Sequence, residues 1–194
     1  MLQIGITGGM GTGKSTVCKI FQSLGVPVLN TDELAKQLYL SNAFLQQKIK
    51  DAFGENTFDN NILNKKLLAA RAFSSAEKTT LLNRIVHPFV FAAIEDWQRH
   101  QNSKYAIRES ALLIESSNYT KLDYIIGVTS AMPVRLHRII VRDKCSTQEA
   151  IDRINKQMPD ELKSKFYHFT ITNEPDKLLL PQVMQIHQQL LALC

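Results

Sequence analysis

After seven residues the chain reads Gly8-Gly9-Met10-Gly11-Thr12-Gly13-Lys14-Ser15, with four glycines in six positions followed by a lysine and a hydroxyl. The run satisfies G-x-x-x-x-G-K-[S/T]. Bare backbone at this density lets a loop wind tightly enough for successive N–H groups to face phosphate oxygens, helped by the positive end of a helix that starts at the lysine. Lys14 then reaches the β- and γ-phosphates, and the Ser15 hydroxyl is placed to complete the shell of a Mg²⁺ ion. Gly11, Thr12, Gly13, Lys14, Ser15 and Thr16 are therefore the candidate residues for binding a nucleoside triphosphate. The alternative is a glycine-rich turn that binds nothing. The flanks argue against it, because the pattern needs a strand before it and a helix after it.

Two further sets of residues carry possible chemistry. Asp32 follows the apolar run Val28-Leu29 at what should be the carboxyl end of a second strand, the edge where open α/β sheets bind ligands. There it can take the proton of an incoming hydroxyl or hold a metal-bound water. Equally, it can cap a helix that begins at Glu33. Arg135, Arg138 and Arg142 fall on one face of a helix and could together meet phosphate charge; the competing reading is an exposed basic face paired with Asp143. His87 precedes a proline and by default caps or packs. The other four histidines lack metal-ligand spacing, and Cys18, Cys145 and Cys194 form no CxxC pair, which fits a reducing compartment.

These residues need a frame. Period-2 and buried apolar runs predict strands at Leu2–Thr7, Val26–Leu29, Tyr105–Ile114, Tyr124–Thr129 and Phe169–Thr172. Helical patterns cover Lys14–Leu24, Ala43–Phe53, Asn64–Phe73, His87–His100, Pro133–Arg142, Ser146–Gln157 and Pro181–Leu191, with Pro88 expected in a first turn. Strands separated by crossover-sized helices imply an α/β fold with a parallel sheet. No repeat, low-complexity tract or long Pro/Gly linker marks a second domain. The 194 residues are 44% hydrophobic and 21% charged, which excludes a disordered chain. A formal net charge of +5 admits an anionic partner without choosing one, and no basic stripe interleaved with aromatics points to nucleic acid. No apolar stretch approaches the length of a membrane span, and no signal segment is read at the N-terminus, so a cytoplasmic protein is expected.

Taken together, Gly5–Val17, Phe21, Leu24-Gly25, Asp32, Phe53-Gly54, Leu68, Phe73, His87-Pro88, Leu112-Leu113 with Glu115, Arg138, Arg142, Gln157 and Asn173 resemble the dephospho-CoA kinase family nearly end to end. The resemblance implies one P-loop kinase domain across residues 1–194, with a helical acceptor region at about 33–100 and a helical lid at about 135–165. It implies transfer of the γ-phosphoryl group of ATP, with Mg²⁺, to the ribose 3′-hydroxyl of dephospho-CoA, giving CoA and ADP. It also assigns Asp32 as the base, Arg138 and Arg142 to the lid, and Lys65 and His87 to the acceptor side, with neither a nucleic acid nor a membrane as partner.

The chain departs from the family pattern at four places. Asn30-Thr31-Asp32 replaces Asp-Ala-Asp while keeping the catalytic acid, and Ala111-Leu112-Leu113 replaces Pro-Leu-Leu, which frees a backbone constraint. Lys65 replaces an arginine fork by a point charge, and His168 stands where Asp is common. Two rivals share the donor site: another small-molecule P-loop kinase, and a nucleotide switch, whose GTPase form would need an Asn-Lys-x-Asp segment that the chain lacks.

Overall fold

The computed structural model describes all residues except Asn60, Asn61 and Ser117. Its packing divides the chain into two compact units, residues 1–30 with 101–194, and residues 31–100. The first unit opens with β1 (Leu2–Thr7), α1 (Lys14–Ser23) and β2 (Val28–Asn30). The second holds α2 (Thr31–Ser41), α3 (Ala43–Phe53), β3 (Phe58–Asp59), β4 (Ile62–Leu63), α4 (Lys65–Ala72) and α5 (Ala76–Arg99). The chain then returns to the first unit with β5 (Tyr105–Glu109), β6 (Tyr124–Thr129), α6 (Met132–Asp143), α7 (Thr147–Asn155), α8 (Asp160–Ser164), β7 (Phe169–Thr172) and α9 (Leu179–Ala192).

In the first unit the five longer strands form one parallel sheet in the order β2-β5-β1-β6-β7. Ile4, Ile6, Ile107, Ile126, Val128 and Ile171 from its strands are at most 1% exposed. They pack with Val17 and Phe21 of α1 and Val183, Ile186 and Leu190 of α9. Each such side chain contributes roughly 1.5–3 kcal/mol on burial, which is why parallel strands read as nearly unbroken apolar runs. Pairing fixes the working edge. Ile6 lies level with Glu109, and Glu109 with Asn30, so β1, β5 and β2 end together. At that edge β1 runs into the glycine loop and then α1.

The structure shifts two strand expectations. β2 starts at Val28 rather than Val26, because Pro27 has no N–H to give and joins only as an acceptor, from Ile107 N–H at 2.8 Å. β5 stops at Glu109 rather than Ile114. Ser110 N–H still donates to Ile6 O at 3.1 Å, after which residues 111–116 turn. Leu113 and Ile114 are buried as expected, but in a separate cluster with Ile125 rather than in the sheet.

The unit of residues 31–100 is mostly helical, and side chains set where three of its helices start: Asn42 accepts from Leu45 N–H, Asn64 from Leu67 N–H and Ser75 from Lys78 N–H. The expected helix over 87–100 is in fact the 24-residue α5, with Pro88 in its interior. An interior proline costs about 3 kcal/mol. Against it stand Leu82, Val86, Val90 and Ile94, four apolar residues at four-residue spacing that are all buried along one stripe, each worth roughly 1.5–3 kcal/mol. Packing therefore carries the helix through the proline. The short β3–β4 pair and α8 had no clear signature in the sequence.

Candidate active site

The loop between β1 and α1 is where the sequence places phosphate chemistry, and its geometry is specific. Gly13, the residue before α1, has φ +88°, and a Cβ there would lie 2.1 Å from Asn173 Nδ2. Gly11 has φ +80° and backs onto the main chain of Arg135, whose carbonyl would be 2.7 Å from an added Cβ. Both positions need glycine twice over, for the left-handed backbone and for the close approach. Thr12 is 1% exposed, and its hydroxyl donates to Gly9 O at 3.0 Å. Lys14 folds over the loop, and its Nζ donates to Gly8 O at 2.9 Å and Gly9 O at 3.2 Å. Ser15 and Thr16 follow in the first turn of α1, both exposed.

The three arginines of α6 part company. Arg135, 3% exposed, donates from Nε to Met10 O at 2.8 Å and pairs with Asp160. Arg138 reaches Gly11 O at 3.3 Å and Thr12 O at 3.5 Å through Nη1, and the carbonyl and side-chain oxygens of Asn173, both at 3.2 Å, through Nη2. Arg142 instead turns to its chain neighbour Asp143 at 2.7 and 3.0 Å, and its side chain is 61% exposed. Its hydrogen bonds hold the Asp143 carboxyl below the usual range and raise Arg142 itself. One helical face thus serves three different partners, and the expected joint projection is not formed. Arg135 and Arg138 meet the loop, while Arg142 forms the ion pair of the competing reading.

Asn173 and Gln157 are the loop contacts whose roles the spacing did not reveal. Asn173, just past β7, donates from Nδ2 to Thr12 O at 2.8 Å. Gln157, just past α7, accepts from Met10 N–H at 2.7 Å. The stretch after Gln157 is itself fastened: Glu115 Oε1 accepts from Met158 N–H at 3.2 Å and lies 2.7 Å from Nζ of the fully buried Lys163. At the end of β5, Glu109 accepts from Asn30 Nδ2 at 2.9 Å. Burial first, and then Glu109, push the Cys18 thiol far up and leave it an unreactive core residue. The signal for these residues lies in the fold, since Asn173 is 161 residues from Thr12 in the chain.

The acceptor-side candidates lie in the other unit. Asp32 is exposed in the first turn of α2, which starts at Thr31, so it is a helical residue and not the cap before Glu33. Lys65 opens α4 and is exposed. His87 lies within α5, half-buried, with its ring centroid 5.6 Å from that of Phe91. His168, in place of the common Asp, is tied into the sheet: its backbone N–H donates to Ile125 O at 2.9 Å and its Nδ1 accepts from Ile125 N–H at 3.1 Å.

Among the described residues, no group of three or more His, Cys, Asp or Glu comes together as a metal cage. The donor set still suits Mg²⁺ held mainly by phosphate oxygens and water, with the exposed Ser15 hydroxyl as the protein ligand.

A parallel sheet that feeds a Gly-Lys-Ser loop into a helix, with arginines from a later helix against that loop, defines the class of P-loop kinases. Within that class the match is narrower. The sequence profile of the dephospho-CoA kinase family covers residues 2–178. The chain is 36% identical over 186 residues to a dephospho-CoA kinase of Bacteroides fragilis, spanning 95% of this chain and 91% of the relative. It superposes on a Thermus thermophilus crystal structure with a TM-score of 0.85 at 28% identity, over 98% of this chain and 96% of that one. The dephospho-CoA kinase of Campylobacter jejuni gives 0.69 at 27% identity over 96% of both chains. The chain belongs to the dephospho-CoA kinase family.

Proposed function

We propose that the chain transfers the γ-phosphoryl group of ATP to the ribose 3′-hydroxyl of dephospho-CoA, giving CoA and ADP, the closing step of coenzyme A biosynthesis. The observation that carries this reading is the extent of the family match. Residues 2–178 include the glycine loop and the whole of 31–100, so the likeness extends well beyond the nucleotide-binding loop.

In this reading the N–H groups of residues 11–16 receive the phosphates, and Lys14 exchanges its hold on Gly8 O and Gly9 O for the β- and γ-oxygens. Asp32 accepts the proton of the 3′-hydroxyl as its oxygen attacks phosphorus and the bond to the β-phosphate oxygen breaks. Arg142, in the lid region, meets the charge that spreads over the transferring group and must leave Asp143 to do so, while Arg138 of the same helix stays against the glycine loop beside it. Lys65 and His87 bind the acceptor. Mg²⁺, held by Ser15, would supply charge neutralisation at the phosphates. The setting is the cytoplasm, which the three free cysteines support, as does the absence among the described residues of any helix long and apolar enough to cross a membrane.

The test offers dephospho-CoA, AMP, adenosine and pantothenate in parallel with ATP and Mg²⁺ and locates the new phosphate. Dephospho-CoA should be turned over fastest, with the phosphate on the 3′-oxygen, because binding of its pyrophosphate and pantetheine arm holds the hydroxyl in line. Faster turnover of AMP or pantothenate would return the chain to a general small-molecule kinase. ATP consumption that ignores the acceptor would make it a switch.

A further inference from the structure

Three successive carbonyls of the glycine loop are held from outside by side chains of later segments. Met10 O accepts from Arg135 Nε at 2.8 Å, Gly11 O from Arg138 Nη1 at 3.3 Å and Thr12 O from Asn173 Nδ2 at 2.8 Å. In a planar trans peptide the C=O and the next N–H point in opposite directions. A grip on the carbonyls of residues 10, 11 and 12 therefore turns the N–H groups of Gly11, Thr12 and Gly13 each away from the side chain that holds its peptide. Of these, Thr12 N–H makes a long turn contact with Gly9 O at 3.4 Å. The preceding N–H, that of Met10, is taken out of the row by Gln157 at 2.7 Å, which marks where the donor row begins.

We infer that Arg135 and Asn173 are positioning residues for phosphoryl transfer. Together with Arg138 they hold the loop carbonyls outward and so aim the N–H groups of residues 11–13 at the nucleotide phosphates. The inference rests on the proposed P-loop role of these residues. Their own geometry fits the task. Arg135 is 3% exposed, with its charge balanced by Asp160, and an added Cβ at Gly9 would lie 2.3 Å from its guanidinium. Asn173 is 9% exposed and holds Thr12 O with its amide nitrogen and Arg138 with its oxygen. Neither has to touch the nucleotide. Each acts through the backbone, before ATP arrives, so that the donors need not reorganise when charge develops.

The experiment compares Arg135→Met, Arg135→Lys and Asn173→Ala in steady-state kinetics with both substrates, together with calorimetric binding of the β,γ-imido analogue of ATP and a melting curve for each protein. Release of one carbonyl should raise KM for ATP and Kd for the analogue by about tenfold or more in R135M, the scale of a hydrogen bond from a charged group, and by about three- to tenfold in N173A, where the donor is a neutral amide. KM for dephospho-CoA at saturating ATP should stay within twofold. R135K, which still offers Met10 O a donor, should recover part of the loss. A purely structural role would lower the active fraction and leave both KM values alone. Folded R135M and N173A proteins with ATP affinity within twofold of the parent overturn the inference, as does an equal rise in both KM values. If R135M does not fold, N173A decides by the same criteria. The analogue titration needs no acceptor, so it separates this inference from the identity of the substrate.

Discussion

The left-handed turn at Gly13 can be tested by pairing it with a second glycine of almost the same backbone conformation. Gly13 has φ +88° and Gly25, just past the end of α1, has φ +80°. A Cβ at Gly25 would have nothing within 4 Å, whereas at Gly13 it would lie 2.1 Å from Asn173 Nδ2. In Gly25→Ala only the conformational term remains: about 1–2 kcal/mol of left-handed strain, offset by the roughly 0.4–1 kcal/mol that the stiffer unfolded chain returns, for a net near 1 kcal/mol. Gly13→Ala carries the same term and also displaces Asn173, so the 2.8 Å bond to Thr12 O is broken inside a residue that is 1% exposed. A buried acceptor that loses its short donor and keeps only the 3.5 Å contact from Arg138 costs about 1–3 kcal/mol more, giving about 2–4 kcal/mol in all. At about 2–4 °C per kcal/mol for a chain of this size, Tm should fall by about 2–4 °C in G25A and by about 5–15 °C in G13A. Melting curves measure both, and ATP kinetics supply the second axis: G13A should raise KM for ATP, while G25A, remote from the loop contacts, should not. Equal melting shifts in the two proteins would refute the packing of Asn173 against the loop, and a normal KM for ATP in G13A would refute its part in shaping the phosphate site.

Three further substitutions address the proposed roles directly. Lys14→Ala should keep the fold and lose phosphoryl transfer by on the order of 10²-fold or more in kcat, and near-normal turnover would defeat the P-loop reading. Asp32→Asn, which keeps shape and deletes the carboxylate, should cost about 10²-fold or more in kcat with both KM values little changed; full activity would reduce Asp32 to a helix-start residue. Arg142→Ala should lower kcat more than it raises KM for ATP, since in the proposed reading the arginine serves the transferring group rather than the resting enzyme. The same change should let the Asp143 carboxyl, which Arg142 holds down, climb toward its ordinary value, as a carbon-detected NMR titration would show. Because that carboxyl is depressed in the folded state, its stabilisation is present at neutral pH and lost as pH falls through the folded value. R142A should therefore show a smaller acid-side loss of stability.

Wherever the controlling interactions are short in sequence, the chain declares its structure in advance. The glycine loop, its strand and its helix lie within Leu2–Ser23, and the four glycines, Lys14 and Ser15 act through backbone conformation and immediate neighbours. The apolar runs of β1, β6 and β7 are equally local. Spacing also put Arg135, Arg138 and Arg142 on one face of α6 correctly, but a helical face fixes only a direction. What waits opposite two of the guanidiniums depended on the rest of the chain, Met10, 125 residues away, for Arg135 and the loop and Asn173 for Arg138, whereas Arg142 took the adjacent Asp143 that the sequence already offered. Pro88 shows the same division, since the local rule places it at a helix start and only the buried stripe from Leu82 to Ile94 could outweigh it. Sequence determined which residues could bind a triphosphate, because that chemistry is carried by eight consecutive positions. Tertiary structure decided which way several of those positions face, because the carbonyls of residues 10, 11 and 12 are held by Arg135, Arg138 and Asn173, side chains that only folding can deliver.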